Sequence, residues 1–584
     1  MYLIEVYVTN ASLNVNRPFT YRSDMPIRKY CRVKVLFHKA INYGIVSGCT
    51  YTDKNVDQLN KEAGYEMQPI IDLIDDEPVI SDELFELAFW LSKTTISPLI
   101  SCLNSMLPKT LKTSMEQKGP KTVRKIRKIN DVYDLTKKQE EVLDQIYDGM
   151  LAADARKISV SIIRKLLDMK AIEEYYEEAE FENKEIDQTA FKELTQEQKN
   201  AYDSVIGTDK MVSLLFGVTG SGKTEVYLHL ARHYLSLNKE VLILVPEISL
   251  TPQMIERVKE RFNDVIFYHS ELSDQERYEQ YKRVKEGEVK IVVGTRSSIF
   301  LPFHDLGLII VDEEHDHSYK QDNVPCYHVR NVAFRRAISH KAKVLLASAT
   351  PSLDSYTHAL KGDYQLLELK NRINLSFPKI EFIDLNEQLK KRESYIISKP
   401  LKSELEKCLN EKKQAIILLN RRGYSPIVKC SECSSVLMCS DCDTPLNYHK
   451  DEKLLKCHQC GRVYKMPDRC PKCGNKTLLF YGFGTKKVEE DLEALFPEAK
   501  IERMDRDSVT RKGAHEAILK RFERHEIDIL IGTQMIAKGL DYPDVTLVGI
   551  LNADAGLMHQ DYNSAKMTFD LLMQASGRSG RAES

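Results

Sequence analysis

Nowhere does this chain approach the roughly 18 consecutive apolar residues that a membrane-spanning helix requires, so no membrane partner is expected. Its first residues, Met1-Tyr2-Leu3-Ile4-Glu5-Val6-Tyr7-Val8, alternate like a strand. They lack the basic stretch followed by an apolar one that marks a secretion signal, which points to the cytoplasm. Charge of one sign is missing too. The 84 Lys and Arg against 86 Asp and Glu leave a formal net charge of −2, so contact with nucleic acid must be a local affair. A compact basic run does occur at Lys121 to Lys128 (KTVRKIRK), readable as a solvated linker or as a DNA-backbone contact. At 584 residues the chain is too long for one core and should hold several domains.

What is present is phosphate chemistry. Gly217-Val218-Thr219-Gly220-Ser221-Gly222-Lys223-Thr224 closes an apolar run, Met211 to Phe216, and opens a helix-like run, Glu225 to Leu237. That is a P-loop in the setting it needs. Glycines let successive N–H groups curl around phosphate oxygens, Lys223 can reach the β/γ-phosphates, and the Thr224 hydroxyl can ligate Mg²⁺. Downstream, Leu308 to Val311 runs into Asp312-Glu313-Glu314-His315, a buried strand delivering carboxylates at its C-terminal edge. Open α/β sheets bind ligands at that edge. In such a site Asp312 would hold Mg²⁺, and Glu313 would orient and deprotonate the attacking water. Together the two features predict a nucleotide-triphosphate hydrolase using Mg²⁺.

The fold class expected is α/β, with two tandem RecA-like parallel-sheet lobes. The first, 194–370, alternates helices with strands at Val241 to Val245, Ile291 to Gly294, Leu308 to Val311 and Lys343 to Ala347. The second starts near Ala415 to Leu419 and resumes at Ile527 to Gly532 and Val545 to Ile550, giving 371–429 and 474–584, with a zinc-binding insertion at 430–473. Ahead of them lie a small β-rich domain, 1–105, with a helical stretch near Asp82 to Lys93, and a segment at 106–185. Its helices at Lys137 to Met150 and Val160 to Met169 and strand at Ile172 to Glu178 suit a winged helix or a helical spacer.

Five of the 13 cysteines are scattered, and eight form four C-x-x-C pairs between Cys430 and Cys473. In a cytoplasmic chain metal explains them better than disulfides. Each C-x-x-C knuckle aims two thiolates at one ion, and two knuckles complete an S₄ site, so eight thiolates predict two Zn²⁺ rather than an iron–sulfur cluster. The 14 residues between Cys442 and Cys457 suit a zinc ribbon, whereas the five between Cys433 and Cys439 hinder convergence. The nested arrangement follows: Cys430, Cys433, Cys470 and Cys473 on one zinc, and Cys439, Cys442, Cys457 and Cys460 on the other. His458 is read as a bystander. A closed S₄ site offers no open position for chemistry, so the block should build a surface for DNA or proteins.

Two further stretches complete a motor. Ser348-Ala349-Thr350 follows a strand directly, where hydroxyls could relay the state of the phosphate site to the second lobe. Gln574-Ala575-Ser576-Gly577-Arg578-Ser579-Gly580-Arg581 sets two arginines three apart, on one helical face, to stabilise the γ-phosphoryl charge from that lobe.

This order is similar to that of superfamily 2 helicases. Within them the chain resembles the PriA family of replication-restart helicases, through Arg17-Pro18-Phe19-Thr20-Tyr21, Gly217 to Tyr227, Leu244 to Thr251, Gly294-Thr295-Arg296-Ser297, Asp312 to Gln321, Leu419 to Tyr424, Gly484 to Glu489 and Gly532 to Gly539. The resemblance spans essentially the whole chain. It implies ATP-driven 3′→5′ unwinding at stalled forks, primosome assembly, the same zinc pairing, and forked and single-stranded DNA as partners. It also implies single-stranded-DNA-binding protein and other primosome proteins, near the nucleoid. By resemblance Phe19 and Tyr21 line a pocket for a DNA 3′ end, and Gln198 reads adenine. By the same resemblance Tyr319, Lys320, Tyr327 and Arg330 lie in an aromatic-rich loop, Asp316 to Arg330, that couples DNA to hydrolysis. Thr20, Cys326 and Leu540 depart from the family pattern. Family members continue through a last strand and a further DNA-binding domain, so the chain reads as a fragment. The alternatives are a duplex translocase that does not separate strands and a non-catalytic primosome scaffold.

Overall fold

The computed structural model describes residues 1–10, 12–112, 122–129, 135–148, 150–169, 171–178, 191–246, 252–373, 378–390, 396–419, 427–433, 435–449, 452–457, 459–481, 484–505, 514–533, 536, 542, 544–557 and 562–577. The amino-terminal part is a five-stranded antiparallel sheet in the order Phe19–Ser23, Tyr2–Val8, Ala40–Tyr51, Arg32–Phe37, Ile70–Leu73. Period-two alternation turns Ile4, Val6 and Val8 into its core. The helices that follow are Asp82–Thr95 and Leu99–Met106. Their Leu84, Leu87, Leu91 and Leu103 enter one core with Tyr281, Phe300 and Leu306 of the first lobe. The amino-terminal helices and that lobe therefore share one apolar core.

From Thr122 to Lys128 the basic run is not a linker. Thr122–Lys128 is the middle strand of a three-stranded sheet, between Met150–Leu151 and the acidic strand Ile172–Glu178. Arg127 is paired with Glu173 across the ladder. Helices Lys137–Asp144, Ala152–Ile158 and Val160–Asp168 share one apolar core with the sheet.

The first lobe is a seven-stranded parallel sheet. Its order is Val265–Tyr268, Ile291–Gly294, Glu240–Leu244, Leu306–Asp312, Lys343–Ser348, Val212–Gly217 and Gln365–Leu369. Glu240–Leu244 is buried throughout and Leu306–Asp312 nearly so, which is why they read as continuous apolar runs: helices cover both faces. The register sets Asp312 beside Ala347 and Ser348 beside Phe216, so three strands deliver their C-terminal ends to one place.

The second lobe is a four-stranded parallel sheet, Ile501–Met504, Ile529–Gly532, Gln414–Leu419 and Val545–Leu551 in that order. Between Gln414–Leu419 and helix Thr485–Leu495 the chain leaves to build a five-stranded antiparallel sheet that carries the cysteines. Among the described residues no helix is long and apolar enough to cross a membrane.

Candidate functional site

The P-loop turns from strand Val212–Gly217 into helix Lys223–Ser236, with Gly220 at φ +82° and Gly222 at φ +75°. These left-handed conformations need glycine. Lys223 Nζ donates to the Gly217 carbonyl at 2.8 Å, folded back over the loop it would share with a phosphate. Across the cleft Tyr227, fully buried on the same helix, donates its hydroxyl to Asp312 Oδ2 at 3.2 Å. Burial, and next the neighbouring Glu313 charge, push the Asp312 carboxyl up to about 7 against the pull of Lys223. Glu313 sits in the left-handed region at φ +47°, and its buried Oε2 makes no hydrogen bond; His315 Nδ1 is 3.6 Å away. The Asp312 carboxylate, beside Lys223 and Glu313, supplies oxygen chemistry that suits Mg²⁺.

The acidic quartet divides its work. Glu314 is buried and accepts from Ser352 N at 2.5 Å and from the Ser352 and Ser355 hydroxyls at 3.0 Å each. His315 accepts at Nε2 from Gln574 Nε2 at 2.7 Å, and its Nδ1 lies 2.7 Å from Ser348 Oγ. The Ser348 hydroxyl also accepts from Thr350 N at 3.0 Å. The hydroxyl turn, the acidic strand and the second lobe thus meet at one imidazole. Gly577, one residue past helix Ser564–Ser576, packs so tightly that a Cβ there would lie 2.6 Å from Thr219 Cβ of the P-loop. Arg578 and Arg581 lie outside the described residues, as does Leu540.

Several residues expected on DNA are placed elsewhere. Tyr319 is fully buried, its hydroxyl 2.6 Å from the Asp312 carbonyl and 2.9 Å from that of Leu244. It clamps two strand ends and offers no face to a base. Tyr327 is also buried, edge-on to Phe300 at 5.2 Å. Arg330 binds Ser352, Ser355 and Asp354, each at 2.9 Å. Tyr21 is sealed in the sheet core with its hydroxyl on the Leu36 carbonyl at 3.2 Å. In all four the ring or guanidinium is enclosed by protein partners. Phe19 stays half-exposed beside Phe37, with Arg17 over its ring at 5.4 Å, and Lys320 is exposed.

Gln198 is neither solvated nor open: its Oε1 caps Thr195 N at 2.9 Å and its Nε2 donates to the Ser221 carbonyl at 2.9 Å. Thr195-x-x-Gln198 is a capping box, a signal legible in the sequence. An adenine contact requires exchanging these bonds. Sequence reasoning missed the strap at Asn371 to Ile373. Ile373 N donates to Gly220 O at 3.1 Å, Asn371 Nδ2 to Glu197 at 2.6 Å, and the Ile373 side chain closes over Gly222. No local pattern announces such a contact.

The cysteines gather in the nested sets expected from spacing: Cys430, Cys433, Cys470 and Cys473, and Cys439, Cys442, Cys457 and Cys460. Cross-knuckle Sγ separations are 3.5 Å for Cys430–Cys473, 3.6 Å for Cys433–Cys470 and 3.8 Å for Cys439–Cys460. A tetrahedral ion with Zn–S bonds near 2.3 Å spaces its sulfurs by about 3.8 Å, so both sets fit Zn²⁺. His458 lies outside the described residues.

A P-loop, an acidic strand end and a hydroxyl turn on one parallel sheet, met by a glutamine from a second, define a two-lobed nucleotide-driven helicase architecture. Residues 195–358 match the DEAD/DEAH box helicase family and 456–583 the helicase conserved C-terminal domain. Residues 5–108 match the 3'DNA-binding domain (3'BD) of PriA and 439–465 the PriA DNA helicase Cys-rich region (CRR) domain. The replication restart protein PriA of Bacillus subtilis is 38% identical, over 100% of this chain and 82% of that protein. Its counterpart in Chlamydia pneumoniae is 38% identical, over 92% of this chain and 74% of that one. A structure of RecG bound to a three-way DNA junction is similar at a TM-score of 0.39 and 19% identity, over 67% of this chain and 41% of that one, too loosely to inform the site. The chain belongs to the PriA family of replication-restart proteins.

Proposed function

We propose that this protein is an ATP-dependent DNA helicase that translocates 3′→5′, recognises stalled or collapsed replication forks and initiates primosome assembly. The observation that carries this reading is the Gln574–His315 hydrogen bond, which joins the second lobe to the residue two beyond Glu313. Lobe closure and the hydrolytic site then share one hydrogen-bond network, which is what a motor requires.

In this reading the P-loop amides of Gly217 to Thr224 and the Lys223 ammonium hold the β/γ-phosphates. Thr224 and Asp312 would hold Mg²⁺, which neutralises phosphate charge when bound. Glu313, whose buried Oε2 makes no hydrogen bond, orients the attacking water and takes its proton. Arg578 and Arg581, one and four residues beyond Gly577 in the sequence, are proposed to stabilise the γ-phosphoryl group. Gln198 is proposed to read adenine. Phe19 and Arg17 offer the amino-terminal domain, 1–105, an aromatic and cationic surface for a DNA 3′ end, and Lys320 a phosphate contact. The winged helix at 106–185, the lobes at 194–370 and at 371–429 with 474–584, and the zinc block at 430–473 are the proposed units. Single-stranded-DNA-binding protein and other primosome proteins are the proposed partners, at the nucleoid in the cytoplasm.

The test is ATP turnover by zinc-loaded protein with and without forked DNA, beside strand displacement on the same fork. Fork-stimulated turnover and unwinding are expected, with Lys223→Ala reducing both by roughly 100-fold or more. Turnover without displacement would leave a duplex translocase. Turnover absent on every DNA would refute the motor.

A further inference from the structure

Arg336, on helix Val329–His340, is a buried arginine that binds two parts of the molecule at once. Its Nε and Nη2 donate to the two carboxylate oxygens of Glu83, on helix Asp82–Thr95 of the amino-terminal domain, at 3.0 and 2.9 Å. Its Nη1 donates to the carbonyls of Ile299 and Leu301 at 2.7 and 2.9 Å. A guanidinium is a rigid planar fork, so four bonds in three directions fix Glu83 and the 299–301 backbone in one register; an ammonium cannot reproduce that. The same face is held by Tyr281, whose hydroxyl donates to the Val79 carbonyl at 3.0 Å, and by Lys285, on the Pro78 carbonyl at 2.7 Å.

The turn that Arg336 grips leads onward. Arg296, at its start, donates from Nη1 to the carbonyls of Ser318 and Lys320 at 3.2 and 2.7 Å. Those two residues flank Tyr319, whose hydroxyl reaches the Asp312 carbonyl. Glu83, Arg336, the 296–301 turn, Arg296, Tyr319 and Asp312 therefore form one continuous, mostly buried series from the amino-terminal domain to the acidic strand end.

We propose that Arg336 is a positioning residue that couples a DNA 3′ end held by the amino-terminal domain to ATP hydrolysis beside Asp312 and Glu313. The proposal rests on the DNA-stimulated ATPase put forward above. Coupling is a free energy that must be measured between the two sites, because a contiguous path does not establish it.

The experiment compares wild type, Glu83→Gln and Arg336→Lys on one forked DNA with either a free or a blocked 3′ hydroxyl. It reads ATP turnover and, separately, DNA affinity by fluorescence anisotropy. Wild type is expected to turn over ATP roughly fivefold faster or more with the free end, and both variants to lose that ratio while their affinity stays within about twofold. Glu83→Gln keeps the side-chain shape at a partly exposed position, so it serves should Arg336→Lys fail to fold. Variants that keep the wild-type ratio overturn the proposal. So does turnover that falls only in parallel with DNA affinity, or wild type that turns over equally on both ends. Wild type without any DNA-stimulated turnover would instead sink the helicase reading itself.

Discussion

Gln574 Nε2 lies 2.7 Å from His315 Nε2, although 259 residues separate them. One residue belongs to helix Ser564–Ser576 of the second lobe and the other to the acidic strand end of the first, so this bond is a direct chemical link between lobes. His315 passes it to Ser348, whose hydroxyl also holds the Thr350 amide.

Gln574→Ala should therefore uncouple the lobes without emptying the nucleotide site. Fluorescent-nucleotide affinity is expected to change little, while DNA-stimulated turnover falls by roughly 5- to 150-fold, the usual range of a coupling free energy. Equal losses in affinity and turnover would place Gln574 on the nucleotide instead.

Tyr319→Phe separates two roles for one ring. Buried beneath Asp312, its hydroxyl should contribute about 1 kcal/mol to stability, seen as a lowered melting temperature, with DNA affinity unchanged. A base-stacking tyrosine would keep its affinity in Phe and lose about 1–3 kcal/mol in Tyr319→Ala, so the Ala variant's DNA affinity at matched folding is the deciding number.

The two S₄ sets share no cysteine. Cys433→Ser and Cys457→Ser should each lower bound zinc from two equivalents to one, and the double variant to none, by metal analysis. Loss of both ions from either single variant would mean that the sites are not independent.

The Glu83 carboxyl would be raised by burial, but Arg336, aided by His340, overrides this and holds it at about 2. A depressed carboxyl binds its proton less readily folded than unfolded. Its contribution is therefore complete above the ordinary value near 4.5 and lost as pH falls toward 2, worth about 3 kcal/mol. The melting-temperature gap between wild type and Glu83→Gln should be wide at pH 6 and narrow by pH 3; a constant gap would contradict the sign.

The sequence by itself determined what is local. A strand that becomes a helix through Gly220 and Gly222 encodes its phosphate cradle within eight residues, since backbone conformation is set by neighbours. Each C-x-x-C likewise fixes its own knuckle, and intervening length was enough to exclude the wrong pairing. Parallel strands announced themselves as unbroken apolar runs. The capping box of Gln198 was legible as a four-residue signal, whereas its bond to the Ser221 carbonyl was not. Tertiary structure alone decided which strand ends lie side by side, that Tyr21, Tyr319, Tyr327 and Arg330 turn inward, and that Glu83 and Gln574 reach the first lobe from opposite ends of the chain. An aromatic or charged residue carries no mark of its future neighbours, because burial depends on the close packing of elements hundreds of residues apart, and that is settled only when the chain folds.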